Sequence, residues 1–265
     1  MIYNESAKVI SNFELAEGIY KTTLYAPKIS SCVKPGQFIN ILPKTDWPHV
    51  MRRPMSIASQ IDDEISIIYK AVGEGTTIMS NWSLDLNVDI IGPLGNFWTN
   101  YQSSIPVLVG GGVGIAPILN LHNLLIDKKI KHYLIMGARN SREHFFEHNL
   151  KDRVFLSTDD GSIGVKGNVV DALNELFNNK LSESKIFSCG PPMMMESVRE
   201  FALKNKIKCD LAVETIMACG IGICQGCTVE MKVNENKLKH TYRSRFALAC
   251  VDGPIFAADD IVRCI

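Results

Sequence analysis

The chain has 265 residues, 46% of them hydrophobic and 21% charged, and its 28 Lys+Arg balance 28 Asp+Glu to leave no net charge. This length suits two domains rather than one small core, and the composition is that of a soluble globular chain. Balanced charge excludes the basic excess of a nucleic-acid binder.

At the N-terminus, MIYNESAKVI lacks the basic region and apolar run of a signal peptide. The next hundred residues read as strands. AKVISNFELAEGIYKTTLYAP, GQFINILP, MSIASQ and EISIIYKAV are short, alternating or β-branched runs, and Pro35-Gly36 and Gly92-Pro93 are turn signals. Several short strands with almost no helical period predict a small antiparallel β-barrel over residues 1–101.

From residue 102 the pattern alternates. SIPVLVGGG is a buried strand, and IAPILNLHNLLIDKK is a helix with an apolar stripe at Ile118, Leu121, Leu124 and Leu125. KHYLIMGAR is a strand, VVDALNELFNN a helix, KIFSCGPP a strand and loop, and PMMMESVREFALKNK a helix. Strands alternating with helices predict a parallel α/β domain over 102–210. The longest apolar stretch, IPVLVGGGVGIAPILNL, is broken by glycines and prolines and is a poor membrane span. The expectation is a cytoplasmic chain with no membrane partner.

Residues 211–265 form a third part with five of the eight cysteines. Disulfides are rare in the cytoplasm, so these thiols point to metal binding, catalysis or core positions. Cys219, Cys224, Cys227 and Cys250 fit C-x4-C-x2-C…C, the plant-type [2Fe–2S] spacing. Such a cluster needs four thiolates and a tightly curled loop that turns amide N–H groups toward sulfur, and Gly220, Gly222 and Gly226 lie between the ligands. Zinc is the competing reading, because a gap of four also falls within the zinc range. Cys32, Cys209 and Cys264 are isolated and read as buried thiols.

Four further stretches carry nucleotide chemistry. RRPMSIAS places Arg53, Pro54, Met55 and Ser56 on a barrel strand, where the arginine can neutralise a pyrophosphate; the competing reading is a basic strand end in water. IIYKAVGEGTT places Ile68, Tyr69 and Lys70 at a strand end, and Gly73, Gly75 and Thr76 where a helix opens. This is either a phosphate cradle or an ordinary turn with a Thr cap. VLVGGGVGIAP sets Gly110, Gly111, Gly112 and Gly114 between strand and helix, as the approach of a dinucleotide requires. It departs from G-x-G-x-x-G at Pro117, and Arg139 stands where a Rossmann acid is expected. FSCGPPMMM puts Cys189, Gly190 and Pro191 at the mouth of the sheet, with Met193–Met195 read as core. STDDGSIG is either a polar surface loop or a ribose contact.

Taken together and in this order, RRPMSIA, YKAVGEGT, LVGGGVGIAP, TDDGSIGVKG, CGPPMMM, CGIGICQGC and CVDGPIF resemble the electron-transfer subunits of NAD-dependent dihydroorotate dehydrogenase B, within the ferredoxin–NADP reductase superfamily. The resemblance covers nearly the whole chain. It implies α/β plus β architecture: an FAD-binding antiparallel barrel, a parallel α/β NAD-binding domain and a C-terminal [2Fe–2S] segment. It places FAD contacts on Arg53, Pro54, Met55, Ser56, Ile68, Tyr69, Lys70, Gly75 and Thr76. NAD contacts fall on Gly110, Gly111, Gly112, Gly114, Cys189, Gly190 and Pro191, and cluster ligands on Cys219, Cys224, Cys227 and Cys250. Met55 replaces an Ile or Leu common in relatives, a volume-conserving change. The implied role is electron relay in pyrimidine biosynthesis. An FMN-containing catalytic subunit oxidises dihydroorotate, electrons pass through the cluster to FAD, and NAD+ accepts a hydride, in a heterotetramer of two chains of each kind. No residue of this chain is expected to act as a base on dihydroorotate. The alternative is the small subunit of a bifurcating transhydrogenase or sulfide dehydrogenase. An acidic residue often replaces the first cluster cysteine there, whereas position 219 is Cys. A third reading is a non-catalytic module that holds FAD or zinc structurally.

Overall fold

The computed structural model describes residues 1–177, 183–232 and 245–264. Six strands close an antiparallel barrel in the order β1-β2-β5-β4-β3-β6: β1 (Tyr3–Ala16), β2 (Ile19–Tyr25), β3 (Phe38–Ile41), β4 (Arg53–Ile61), β5 (Glu64–Lys70) and β6 (Asn87–Leu94). Alternation along these strands sends Ile39, Ile41, Ile57, Ile65, Ile67 and Ile90 inward, where all are fully buried. Each such side chain contributes roughly 1.5–3 kcal/mol by leaving water. Closure also removes the free strand edges that invite aggregation. Gly92-Pro93, expected as a turn, lies within β6. Pro93 falls just past the β1 pairing, which ends at Gly92, and inside the register shift against β3, so no ladder donor is lost there. A four-residue helix, α1 (Pro27–Ser30), follows β2, and α2 (Glu74–Ser80) follows β5.

Among the described residues the second unit is a seven-stranded sheet in the order β10-β9-β8-β7-β11-β12-β15. Its parallel strands are β7 (Ile105–Gly111), β8 (Tyr133–Ala138), β9 (Val154–Thr158), β10 (Val165–Lys166), β11 (Ser184–Cys189) and β12 (Lys208–Ala212). Three helices cover it: α3 (Ile115–Asp127), α4 (Val169–Phe177) and α5 (Pro192–Lys204). Successive residues of β7 serve opposite faces. Leu108 packs with Ile118, Leu121 and Leu125 of α3, while Val107 and Val109 pack with Leu173 of α4 and Val198 of α5. The α3 stripe is therefore the expected one, with Leu124 packed at its margin. The helix expected over 169–179 runs to Phe177, and its last two positions lie outside the described residues.

The C-terminal segment contributes β13 (Thr228–Glu230), β14 (Phe246–Leu248) and β15 (Ile255–Ala257). β13 and β14 pair antiparallel, and β15 joins the large sheet as an antiparallel edge on β12. The sheet is thus parallel but for that edge, a mixed arrangement common in larger sheets. Cys227, Leu248, Cys250 and Phe256 share one core with α4 and α5. The buried guanidinium of Arg199 on α5 donates to the carbonyls of Ala258 and Ile261, both at 3.0 Å, and pairs with Glu196 at 2.8 Å. A buried cation satisfied in this way fixes the cysteine-bearing segment on α5. Among the described residues, no helix is long and apolar enough to cross a membrane.

Candidate functional site

β3 and β4 pair so that Asn40 faces Pro54, Ile39 faces Met55 and Phe38 faces Ser56. The Arg53 side chain lies over the Trp47 ring, 5.0 Å from its centre, and passes close to the start of α2, where a Cβ on Gly75 would stand 2.7 Å from Nε. A missing Cβ thus brings a guanidinium against a helix start, a combination suited to an anion such as a pyrophosphate. Thr76 is less free than its position suggests. Its hydroxyl accepts from the N–H groups of Val72 and Gly73, at 3.0 and 3.2 Å, and so caps α2.

On β5, Ile68 and Tyr69 are buried and Lys70 faces a cavity. Tyr69 turns its ring into the barrel core, where its hydroxyl meets Thr22 at 3.2 Å. Burial pushes its pKa up to about 12. Any contact that Tyr69 makes with a flavin is therefore through its backbone.

The glycine loop after β7 is packed to backbone contact. A Cβ on Gly114 would lie 2.5 Å from both Cα and N of Gly190, and Gly112 adopts φ +54 with open space beside it. The loops 110–114 and 189–191 thus touch across the carboxyl ends of β7 and β11, where ligands bind in open α/β sheets. They border a cavity of about 380 Å³ with Lys70, Arg139, Glu143 and Asp159 around its rim. Cys189 is buried beneath, and desolvation pushes its thiol pKa well up, leaving it neutral. The methionine triplet divides: Met195 is core, Met193 is exposed and Met194 lines the cavity, because helical rotation carries three neighbours to three directions. Gly114→Ala is expected to force these loops apart at about 1–3 kcal/mol. The measurement is flavin bleaching by NADH, which should slow at least tenfold with normal FAD and iron content.

The four cysteines meet as two pairs. The Cys227 and Cys250 sulfurs are 3.2 Å apart, and the Cys219 sulfur accepts from the Cys224 N–H at 3.3 Å and from the Cys224 thiol. Burial opposes ionisation of Cys219, but the N–H groups of Cys224, Ile221 and Ile223 outweigh it and hold the thiol at about 7. Burial and Cys227 raise Cys250 to about 12, against an opposing N–H from Gly222. Gly220 and Gly222 take φ +69 and +84 and Gln225 takes +56, the left-handed turns by which the loop curls. Among the described residues no three metal-binding side chains converge on one ion-sized point. Paired thiols and inward amides match a two-iron cluster, which takes two thiolates per iron and stabilises its negative charge by N–H···S contacts.

Asn40, absent from the expected site, connects the parts. Its Nδ2 donates to the Cys219 carbonyl at 2.9 Å, and its buried Oδ1 has no partner among the described residues. It joins the strand opposite Arg53–Ser56 to the first of the four cysteines. Asn40→Ala removes one hydrogen bond worth about 1 kcal/mol. Iron release to a chelator should accelerate about fivefold while barrel stability is retained, and an unchanged rate would remove Asn40 from this role.

A closed barrel beside a mostly parallel nucleotide sheet, with glycine loops at the sheet mouth, defines a ferredoxin-reductase-type oxidoreductase. Residues 108–200 match the oxidoreductase NAD-binding domain, and residues 214–262 match the iron–sulfur cluster binding domain of dihydroorotate dehydrogenase B. The chain is 35% identical over 270 residues to the dihydroorotate dehydrogenase B (NAD(+)) electron transfer subunit of Fusobacterium nucleatum, covering 97% of this chain and 98% of that one. It is 32% identical to the corresponding Bacillus pumilus subunit, covering 96% of each. Among solved structures, one described as an NADH-dependent reduced ferredoxin-NADP oxidoreductase superposes with TM-score 0.83 at 26% identity, over 97% of this chain and 90% of that one. The ferredoxin reductase of carbazole 1,9a-dioxygenase shares the fold at TM-score 0.68 and 21% identity, over 78% and 67%. The chain belongs to the family of electron transfer subunits of NAD-dependent dihydroorotate dehydrogenase B.

Proposed function

We propose that this chain carries electrons from an FMN-containing, dihydroorotate-oxidising catalytic subunit to NAD+ in pyrimidine biosynthesis, within a heterotetramer of two chains of each kind. The observation that carries the reading is the continuity of three sites: the paired thiols are tied through Asn40 to the barrel strands, and the barrel reaches the nucleotide cavity through Lys70. When bound, the cluster supplies single-electron transfer and FAD the exchange of a hydride with NAD+.

The chain's own residues bind and orient. Arg53 and the start of α2 would hold the flavin pyrophosphate, with Pro54, Met55, Ser56, Ile68, Lys70, Thr76 and the backbone of Tyr69 lining the rest of the flavin. Gly110–Gly114 and Cys189–Pro191 admit the dinucleotide. Cys219, Cys224, Cys227 and Cys250 would hold the cluster as thiolates. Cys224 is exposed, and Ile221 and Ile223 in the same loop, with Val251 against Gly222, expose apolar surface, which suits the cysteine segment to a docking face for the catalytic subunit.

The structural likeness to the bifurcating oxidoreductase favours a second reading, a small subunit of such a transhydrogenase or of a sulfide dehydrogenase. Cys at position 219 and the relatives of matching length favour the first. Anaerobic titration with NADH tests the shared core: bleaching of the flavin band and appearance of an iron–sulfur EPR signal are expected. Absence of both would favour a non-catalytic binding module.

A further inference from the structure

In nucleotide sheets of this kind, an acid near the end of the second strand accepts from the ribose 2′-hydroxyl, and an arginine there receives a 2′-phosphate. Here β8 is that strand, and Arg139 follows its last residue. Taken alone, Arg139 points to a phosphorylated dinucleotide.

The structure reverses that reading. Glu143, at the end of a short turn of helix over Ser141–Glu143, folds back onto the strand end. Its Oε2 accepts from the Arg139 backbone N–H at 3.2 Å. Its Oε1 accepts from Arg139 Nε at 3.0 Å, from Arg139 Nη2 and from Lys70 Nζ at 3.1 Å. The Glu143 side chain is only 11% exposed, whereas that of Arg139 is 69% exposed. The guanidinium next to it, with Lys70 beyond, holds the Glu143 carboxyl down at about 2 despite burial, so it is a carboxylate throughout the neutral range. Around the cavity, two cations, Lys70 and Arg139, stand against two carboxylates, Glu143 and Asp159. Glu17 also faces Arg139, and it is paired with Arg142 at 3.3 Å.

We infer that Glu143 is the specificity-determining residue of the nucleotide cavity, committing Arg139 and Lys70 to itself so that the site takes a dinucleotide with a free 2′-hydroxyl and rejects a 2′-phosphate. The inference rests on the proposal that this cavity receives NAD. Among the described residues Oε2 accepts one hydrogen bond and keeps lone-pair capacity for a hydroxyl donor. A 2′-phosphate is mostly the dianion at neutral pH, so it offers little to donate and meets a carboxylate where it needs a fork of donors. Neutralising Glu143 leaves two cations against one carboxylate and frees the arginine fork. A single residue thereby both rewards the hydroxyl and masks the phosphate site.

The test compares wild type, Glu143→Gln, and Glu143→Gln combined with Arg139→Ala, each as the full chain loaded with FAD and cluster. Flavin bleaching by NADH and NADPH is followed by stopped flow, and binding of 2′,5′-ADP and 5′-AMP by calorimetry. Glu143→Gln should lower the NADH-to-NADPH ratio of rate over half-saturation at least tenfold, mainly by a gain with NADPH, and should create measurable 2′,5′-ADP binding. The added Arg139→Ala should remove both gains, a result that simple loosening of the site does not produce. A ratio within twofold of wild type, or a parallel loss with both nucleotides and no 2′,5′-ADP binding, overturns the assignment. Wild type that neither nucleotide reduces would overturn the NAD reading itself, and the calorimetry would still decide the role of Glu143.

Discussion

Cys224→Ser is expected to abolish the cluster and leave the flavin. The cysteine is the exposed member of the four, at the tip of the loop that curls through Gly220 and Gly222. Serine keeps the shape but is a far weaker ligand for iron than thiolate. Its N–H reaches the Cys219 sulfur, and that backbone contact survives the change, so loop geometry is not what fails. Iron and acid-labile sulfide should fall to a few per cent of wild type. Dihydroorotate-driven NADH formation by the two-subunit complex should fall by at least about a hundredfold, while NADH still bleaches the flavin. The separation matters more than the loss. The barrel meets the cysteine loop through the backbone of Cys219, which Cys224→Ser leaves in place, and Arg53 lies on the strand across from Asn40, so FAD retention should be untouched. Normal iron and sulfide in the variant would remove Cys224 from the ligand set.

Arg53→Ala is expected to release FAD. The guanidinium stands against the α2 start, whereas Lys70 is committed to Glu143 and the Arg52 guanidinium to Asp89 at 2.9 Å. Charge-assisted hydrogen bonds to a pyrophosphate contribute about 1.5–3 kcal/mol, or roughly a tenfold to hundredfold loss in affinity. The stacking of Arg53 over Trp47 adds a further small term that alanine also loses. The variant should leave gel filtration largely free of flavin yet keep its iron, and saturating FAD should restore NADH-driven bleaching. FAD occupancy equal to wild type would move the pyrophosphate elsewhere on the barrel.

These outcomes depend on features that differ in how visible they are in sequence. The alternation in the first half of β1 and the stripe of α3 are local periodicities, and burial follows them closely. The cysteine spacing is local for its first three members, and the left-handed glycines between them are the residues a tight loop demands. The junctions were not legible. Asn40 and Cys219 are 179 positions apart, and an asparagine inside FINI carries no mark of the loop it will hold. Glu143 lies in an ordinary polar stretch, SREH, and its role exists only because a short helical turn folds it onto Arg139 and Lys70. β15 is three residues long, too short for a period, and the exposed edge of β12 selects it. At Thr76 and Tyr69 the motif does not show where the side chain goes. Their positions fit the motif, but the Thr76 hydroxyl is spent on a helix cap and the Tyr69 ring on the core.

The most direct test of the relay joins this chain to the proposed FMN-containing catalytic subunit from the same source and adds dihydroorotate and NAD+ without oxygen. The account predicts NADH formation that requires both chains, with the iron–sulfur EPR signal appearing during turnover and both lost together in Cys224→Ser. NADH formation that proceeds at full rate in Cys224→Ser, or no NADH from a complex that holds FAD and cluster, would contradict it.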